Sequence, residues 1–236
     1  MRSHSITGVS VCIPAYNEEA TIESAVTQIE AVLHKLEYDY EIIVCDDASA
    51  DDTKAIIQRL SSQNSHLRPI FHEKNMGIRA TFEELYAAAT KDAVFLLASD
   101  LQWPPEVLPI LIEHFGEADI VIAARIHKNY GILRSIVSNI FNLIPLMLFG
   151  IRTDDAGAVK LVRNSVIRDT RIISRSPFSE AERIIRAVRA GYRLKSIPTV
   201  TRQRDAGVSH GVRFKVLVAA AKDVLRVWWD IQILGH

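Results

Sequence analysis

Five short apolar runs, separated by stretches of helical length, recur through the first half of the 236-residue chain, at residues 9–14, 41–45, 67–72, 93–98 and 120–124. Runs this short and this continuously apolar read as strands buried on both faces, the situation of a parallel sheet covered by helices. The intervening stretches, about 18–36, 52–63, 78–89 and 105–115, read as helices, and Pro105 sits where a first helical turn tolerates proline. The alternation predicts an α/β fold with a mostly parallel central sheet and helices on both faces.

The second half is less regular. Residues 132–144 place Ile132, Leu133, Ile136, Val137, Ile140, Phe141 and Ile144 on one helical stripe, with Arg134, Ser138 and Asn142 opposite. Residues 158–162 are strand-like, and 192–197 and 200–202 look extended. Ser179 followed by Glu182 matches a capping box that opens a helix to about Ala190, ended by Gly191. A final helix over 213–229 has Leu217, Ala220, Val224 and Trp228 on its apolar side and Lys215, Lys222 and Arg226 as basic residues. With no repeat or linker, residues 1–211 form one expected domain. Residues 212–236 are expected to be part of it, or a contact to a membrane or a second subunit in a homo-oligomer.

Lys and Arg balance Asp and Glu at 28 each, so no global field recruits nucleic acid and any anion site must be local. Cys12 and Cys45 both fall inside strand-like runs and are expected to be buried reduced thiols, which suits a reducing, cytoplasmic compartment. No apolar signal segment precedes Val9, and the longest apolar stretch, 136–151, is interrupted by Ser138, Asn139, Asn142 and Pro145. A spanning helix needs about 20 mostly apolar residues, so the expectation is a protein without a transmembrane span.

In open parallel sheets ligands bind beyond the carboxyl ends of the strands, where this sequence gathers its unusual residues. They are Pro14-Ala15-Tyr16-Asn17-Glu18, Asp46-Asp47-Ala48-Ser49-Ala50-Asp51-Asp52-Thr53, Asn75-Met76-Gly77, and Asp100-Leu101-Gln102-Trp103-Pro104-Pro105-Glu106. Asn17 suits a helix cap and a ligand contact alike. Asp46 and Asp47, adjacent acids at a strand end, suit a binding site better than bulk water. Neither a Gly-x-Gly-x-x-Gly turn nor a Gly-Lys-Ser/Thr loop occurs, which argues against a dinucleotide dehydrogenase and a phosphate-cradling NTPase.

Taken in order, and with Arg125, Arg134, Ser138 and the run from Arg204 to His210, these segments resemble the inverting glycosyltransferases of the glycosyltransferase-A (Rossmann-like) fold. The likeness is to the branch containing dolichol-phosphate mannosyltransferase and polyprenyl-phosphate glycosyltransferases. It implies that Pro14, Tyr16, Glu18, Asp46 and Asp47 line a nucleotide-sugar pocket. It implies that Asp100 and Gln102 hold a divalent metal, Mg²⁺ or Mn²⁺, on the diphosphate. Arg125, Arg134, Ser138 and Arg204 would hold the acceptor and donor phosphates, and Asp100, Arg125, Arg134, Ser138 and Arg204 form the implied catalytic set.

One departure stands out. The family commonly carries Asp-x-Asp where this chain has Ala98-Ser99-Asp100, so one carboxylate is missing. The implied partners are a nucleotide-sugar donor, GDP-mannose or a UDP-hexose, and a polyprenyl phosphate acceptor at the inner face of a membrane. A phosphate oxygen is ionised at neutral pH and needs positioning rather than a base. A hydroxyl acceptor would need one, with Asp154, Asp155, Glu180 and Glu182 as candidates. The third alternative, motivated by Ala98, is a nucleotide-sugar-binding protein that has lost catalysis.

Overall fold

The computed structural model describes residues 6–126, 143–201 and 214–235. Seven strands, β1 (Gly8–Ala15), β2 (Asp39–Asp46), β3 (Leu67–Phe71), β4 (Ala93–Leu96), β5 (Ile120–Arg125), β6 (Lys160–Arg163) and β7 (Leu194–Thr199), form one sheet in the order β3-β2-β1-β4-β6-β5-β7. Every pairing is parallel except the two made by β6, which runs antiparallel between β4 and β5. The strand over 158–162 was expected; its reversed direction was not, because a run of four residues carries no mark of orientation.

The pleat divides the core as a covered sheet requires. Val9, Val11 and Ile13 of β1 and Ile42 and Val44 of β2 point to one face, where α1 (Ile22–Leu33) lays down Ile22, Val26, Ile29 and Leu33. Cys12 of β1 and Ile43 and Cys45 of β2 point to the other, against Leu85, Tyr86 and Ala89 at and just beyond α3 (Ile78–Ala88). Each such side chain fully buried contributes about 1.5–3 kcal/mol. Both thiols are free and buried. Gly8 opens β1 where its neighbours press closest: a Cβ there would stand 2.9 Å from the Asp39 carbonyl oxygen.

Further helices among the described residues are α2 (Thr53–Gln63), α4 (Val107–Glu113), α5 (Asn164–Asp169), α6 (Ser179–Arg189) and α7 (Phe214–Gln232), and residues 143–149 are helical as well. The expected capping box at Ser179 does not form: the helix has no side-chain cap. The Glu182 carboxylate, fully buried, instead accepts the backbone N–H groups of Ile173 (3.0 Å) and Ser174 (2.8 Å) and the Arg186 guanidinium (2.7 Å). The loop before α6 folds back over its first turn, and its own unpaired donors take the oxygens. The six residues of α5 are too few for a periodicity to have shown.

Helix α7 packs on the body of the domain through Ala220, Val224, Val227 and Ile231. Asp223 accepts the N–H groups of Arg175 and Ser176 at 2.8 and 2.7 Å, and Asp230 meets Arg186 at 2.6 Å. Among the described residues, no helix is long and apolar enough to cross a membrane.

Candidate active site

Strand β2 lies on one side of β1 and β4 on the other, so the connections leave β1 in opposite directions and their carboxyl ends part. Three non-glycine residues with positive φ stand on this rim: Asn17 (54°) after β1, Ala48 (59°) after β2 and Leu101 (51°) after β4. Such conformations cost on the order of 1–3 kcal/mol and persist where the surroundings hold them. Here the first two loops are laced together. Asn17 N–H donates to Ser49 Oγ at 2.9 Å, and Asn17 Oδ1 accepts the Ala50 N–H at 2.8 Å. The Glu18 N–H donates to Thr53 Oγ1 at 2.8 Å, and Glu19 Oε2 accepts the Asp52 N–H at 3.0 Å. Burial works against the Asp51 carboxylate, but hydrogen bonds from Thr53 and from the Glu19 N–H outweigh it and lower its pKa.

Asp47 ties the third loop to the second. Its oxygens accept the Met76 N–H at 2.7 Å and the Gly77 N–H at 2.8 Å, and Gly77 takes a φ of 83° that suits glycine. His72 Nδ1 lies 2.7 Å from the same carboxylate, and its Nε2 lies 2.8 Å from Glu84. Burial opposes the charged ring, but the two carboxylates prevail and raise its pKa.

Between these loops opens a cleft of about 770 Å³ walled by Pro14, Tyr16, Glu18, Asp47 and Asp100, with Val216 of α7 at its border. Ala98 and Asp100 also line a smaller hollow of about 200 Å³, which Gln102, Arg125, Lys160 and Glu180 complete. Asp100 Oδ1 accepts the Gln102 N–H at 3.2 Å. Arg125 is clamped from two sides by the buried Asp155, at 2.6 and 2.9 Å, and lies 5.7 Å over the Trp103 ring. Beneath it Lys160 Nζ reaches Glu180 at 2.8 Å, and the Tyr86 hydroxyl donates to the same oxygen at 3.0 Å. Burial alone would raise the Glu180 carboxyl, but Lys160 and Arg183 hold it below the usual range.

Pro14, Tyr16, Glu18, Asp47 and Asp100 thus share one cleft, and Gln102 and Arg125 share the adjoining hollow. Asp46, grouped with Asp47 in the sequence, is turned elsewhere: its side chain is fully buried and hydrogen-bonded to the Ser49 hydroxyl in its own turn. Asp46 is the last residue of β2 and does not line the cleft, whereas Asp47, just past the strand end, does. Arg134, Ser138 and Arg204 lie outside the described residues. The sequence reading missed Val216 and the buried Lys160–Glu180 pair. Both depend on contacts distant along the chain, and only Lys160 and Glu180, charges inside apolar surroundings, left a local sign.

The oxygen donors of the cleft fit a hard divalent cation, which commonly takes one or two carboxylates and fills its shell with water and substrate phosphate. Among the described residues no three His, Cys, Asp or Glu side chains gather into a metal-type cluster, so a cation here would rest on Asp100 and Gln102, with water and substrate phosphate completing its shell.

The covered, mostly parallel sheet with its one reversed strand matches the glycosyltransferase-A fold of solved glycosyltransferases. The chain belongs to glycosyl transferase family 2, whose model matches residues 10–181. It is 29% identical over 177 residues, 74% of its length, to an undecaprenyl-phosphate 4-deoxy-4-formamido-L-arabinose transferase of Pseudomonas fluorescens. A transferase of the same name from Aeromonas hydrophila is 30% identical over 161 residues, 67% of this chain. The chain spans about half the length of these relatives, 52% and 49%. Among solved structures, it shares its fold with a mannosyltransferase of Pyrobaculum calidifontis in complex with GDP-Man and Mn²⁺. That match has a TM-score of 0.66 and 17% identity, covering 94% of this chain and 64% of the other. Glucosyl-3-phosphoglycerate synthase of Mycobacterium tuberculosis in complex with UDP matches with a TM-score of 0.69 and 20% identity, covering 95% and 79%.

Proposed function

We propose that the chain transfers one sugar from a nucleotide-sugar, GDP-mannose or a UDP-hexose, to a polyprenyl phosphate. In this reaction a phosphate oxygen of the acceptor forms the bond to the anomeric carbon, the nucleoside diphosphate departs with the electron pair of the broken bond, and the configuration inverts. The observation that carries the reading is the juxtaposition of the oxygen-lined cleft at Glu18, Asp47 and Asp100 with the fixed guanidinium of Arg125.

The acids that could serve a hydroxyl acceptor as base are already engaged. Asp155 clamps Arg125, Glu180 meets Lys160, Glu182 holds a backbone turn, and Asp154 pairs with Arg152 at 3.2 Å. An ionised phosphate needs none of them. The names of the undecaprenyl-phosphate transferases point the same way.

Within this reading Pro14, Tyr16 and Glu18 hold the nucleotide, and Asp47 fixes the Met76–Gly77 turn against it. Arg125, with Arg134, Ser138 and Arg204, orients the phosphates. A divalent metal, Mg²⁺ or Mn²⁺, held by Asp100 and Gln102, would neutralise charge on the departing diphosphate. Helix α7 is taken as part of the catalytic domain. Its outward side, with Val218, Leu225, Trp229 and Ile233 exposed beside Lys215, Lys222 and Arg226, is taken as a peripheral contact to the membrane that holds the acceptor. Free buried thiols suit the cytoplasmic side.

The test offers purified protein GDP-mannose or UDP-glucose, with Mg²⁺ or Mn²⁺, with and without a short-chain polyprenyl phosphate. Glycolipid formed only when the lipid phosphate is present supports the reading. Nucleotide binding without product in any combination replaces it with a non-catalytic binding protein.

A further inference from the structure

Away from the donor cleft, a second hollow of about 540 Å³ lies between the first turn of α3, the loop joining α5 to α6, and the C-terminal half of α7. Arg79, Arg171, Arg175 and Arg226 line it, with Trp229 and Leu234 at its edge. Its single acidic lining residue, Asp230, is already engaged by Arg186 at 2.6 Å.

Arginines without a carboxylate gather here; outside the hollow, Arg168 and Arg189 are the other described arginines that hold none. Arg59, Arg125, Arg163, Arg183 and Arg186 each hold a carboxylate. Among the described residues, the guanidinium groups of Arg79, Arg171 and Arg175 hold none, and Arg79 Nε is buried without an acceptor. Arg226 has only the flank of Asp223 at 3.6 Å, and its side chain is 54% exposed. A buried N–H left without a partner is destabilising, and like charges around one hollow add to that.

The loop presenting two of these arginines is held firmly. Glu182 takes the N–H groups of Ile173 and Ser174, and Asp223 takes those of Arg175 and Ser176. Two buried carboxylates thus fix the backbone of a loop whose outward cations lack counter-charges. Guanidinium forks match the oxygens of a phosphate in paired hydrogen bonds. Trp229 and Leu234, both more than half exposed, give the hollow an apolar margin of the kind found at bilayer interfaces.

We infer that this hollow is a phosphoryl-anion site, distinct from the donor cleft with which it shares no lining residue, and that its ligand is the headgroup phosphate of an anionic lipid. The site goes beyond the transfer reaction, and its lipid ligand rests on the membrane contact proposed for α7, with which it shares Arg226 and Trp229.

The test uses the full chain without any nucleotide-sugar. Binding is measured to phosphatidylglycerol–phosphatidylcholine vesicles, to pure phosphatidylcholine vesicles, and to inorganic phosphate followed by tryptophan fluorescence. The double variant Arg171→Gln/Arg175→Gln, at two exposed positions, is expected to bind the anionic vesicles about 10- to 30-fold more weakly. The single variant Arg226→Gln should lose about fivefold and guards against misfolding of the double. A charge-matched pair, Lys35→Gln/Lys54→Gln, alters exposed cations that do not line the hollow and should stay within about twofold. Loss confined to anionic vesicles supports the site with a lipid ligand. Phosphate binding that the Arg171/Arg175 variant abolishes, with vesicle binding unchanged, supports the site with a soluble phosphoanion instead. Equal weakening by the two double variants, with no phosphate binding, overturns it.

Discussion

His72 Nδ1 and Asp47 Oδ1 are 2.7 Å apart, in a contact where the His72 side chain is only 7% exposed. The other ring nitrogen faces Glu84 at 2.8 Å, so both nitrogens address carboxylates and the doubly protonated ring satisfies both. Cys45 Sγ, 3.4 Å from Nε2, completes the polar surroundings. His72 therefore acts on the donor cleft at one remove, by fixing the carboxylate that holds Met76 and Gly77.

This arrangement has a pH signature. A histidine with a raised folded pKa stabilises fully below its unfolded value of about 6.5 and loses that contribution as pH rises through the folded value. The melting-temperature gap between wild type and His72→Gln should be widest in mild acid and should shrink as pH rises above that point. A gap independent of pH would show that His72 carries no charge here.

Ala98 is exposed and borders both the donor cleft and the hollow beneath it, alongside Asp100. On the proposed reading, Ala98→Asp adds a carboxylate beside Asp100 and should tighten Mn²⁺ binding in the presence of nucleoside diphosphate by about tenfold or more. Titration by calorimetry reads this directly; an unchanged affinity would mean that the side chain at this position does not face the metal.

Lys160 and Glu180 form a buried ion pair. Removing one partner from such a pair typically costs about 3–5 kcal/mol, because the other is left charged without compensation. Lys160→Met should lose stability on that scale in urea unfolding, and Lys160→Met combined with Glu180→Leu should regain a substantial part of it. Equal losses in the two variants would count against the pairing.

Glu182→Ala removes the acceptor of two backbone N–H groups and of the Arg186 guanidinium. The expected loss is about 2–4 kcal/mol, with Glu182→Gln milder because one carbonyl acceptor survives. A loss below about 1 kcal/mol for Glu182→Ala would refute the role given to this carboxylate.

Burial pushes the Cys45 thiol up to about 12 and raises Cys12 further. Iodoacetamide at pH 8 should leave both unmodified in the folded protein and alkylate both in denaturant, as mass spectrometry would show.

Much of this was legible along the chain because it is local. The first five strands announce themselves as continuous apolar runs, and Pro14, Tyr16, Glu18, Asp47 and Asp100 converge because each ends or follows one of them. What stayed hidden depends on partners far apart in sequence. Glu182 looked like the second half of a capping box until the 173–174 turn folded onto it, and nothing near Arg125 signals that Asp155, 30 residues later, clamps it. Asp46 and Asp47 look equivalent in sequence, and only their partners in the fold tell them apart, Ser49 for one and the Met76–Gly77 turn for the other.

The reversed strand β6 carries one more consequence. Because β6 runs antiparallel to β5, β5 ends and β6 begins at the same end of the sheet, and the connection between them has no crossover to complete. A parallel connection must be a dozen residues or more to cross back, but this one has no minimum of that kind. A change in the length of that connection therefore leaves the order and direction of the strands as they are, a freedom that a parallel pair in the same place would not have.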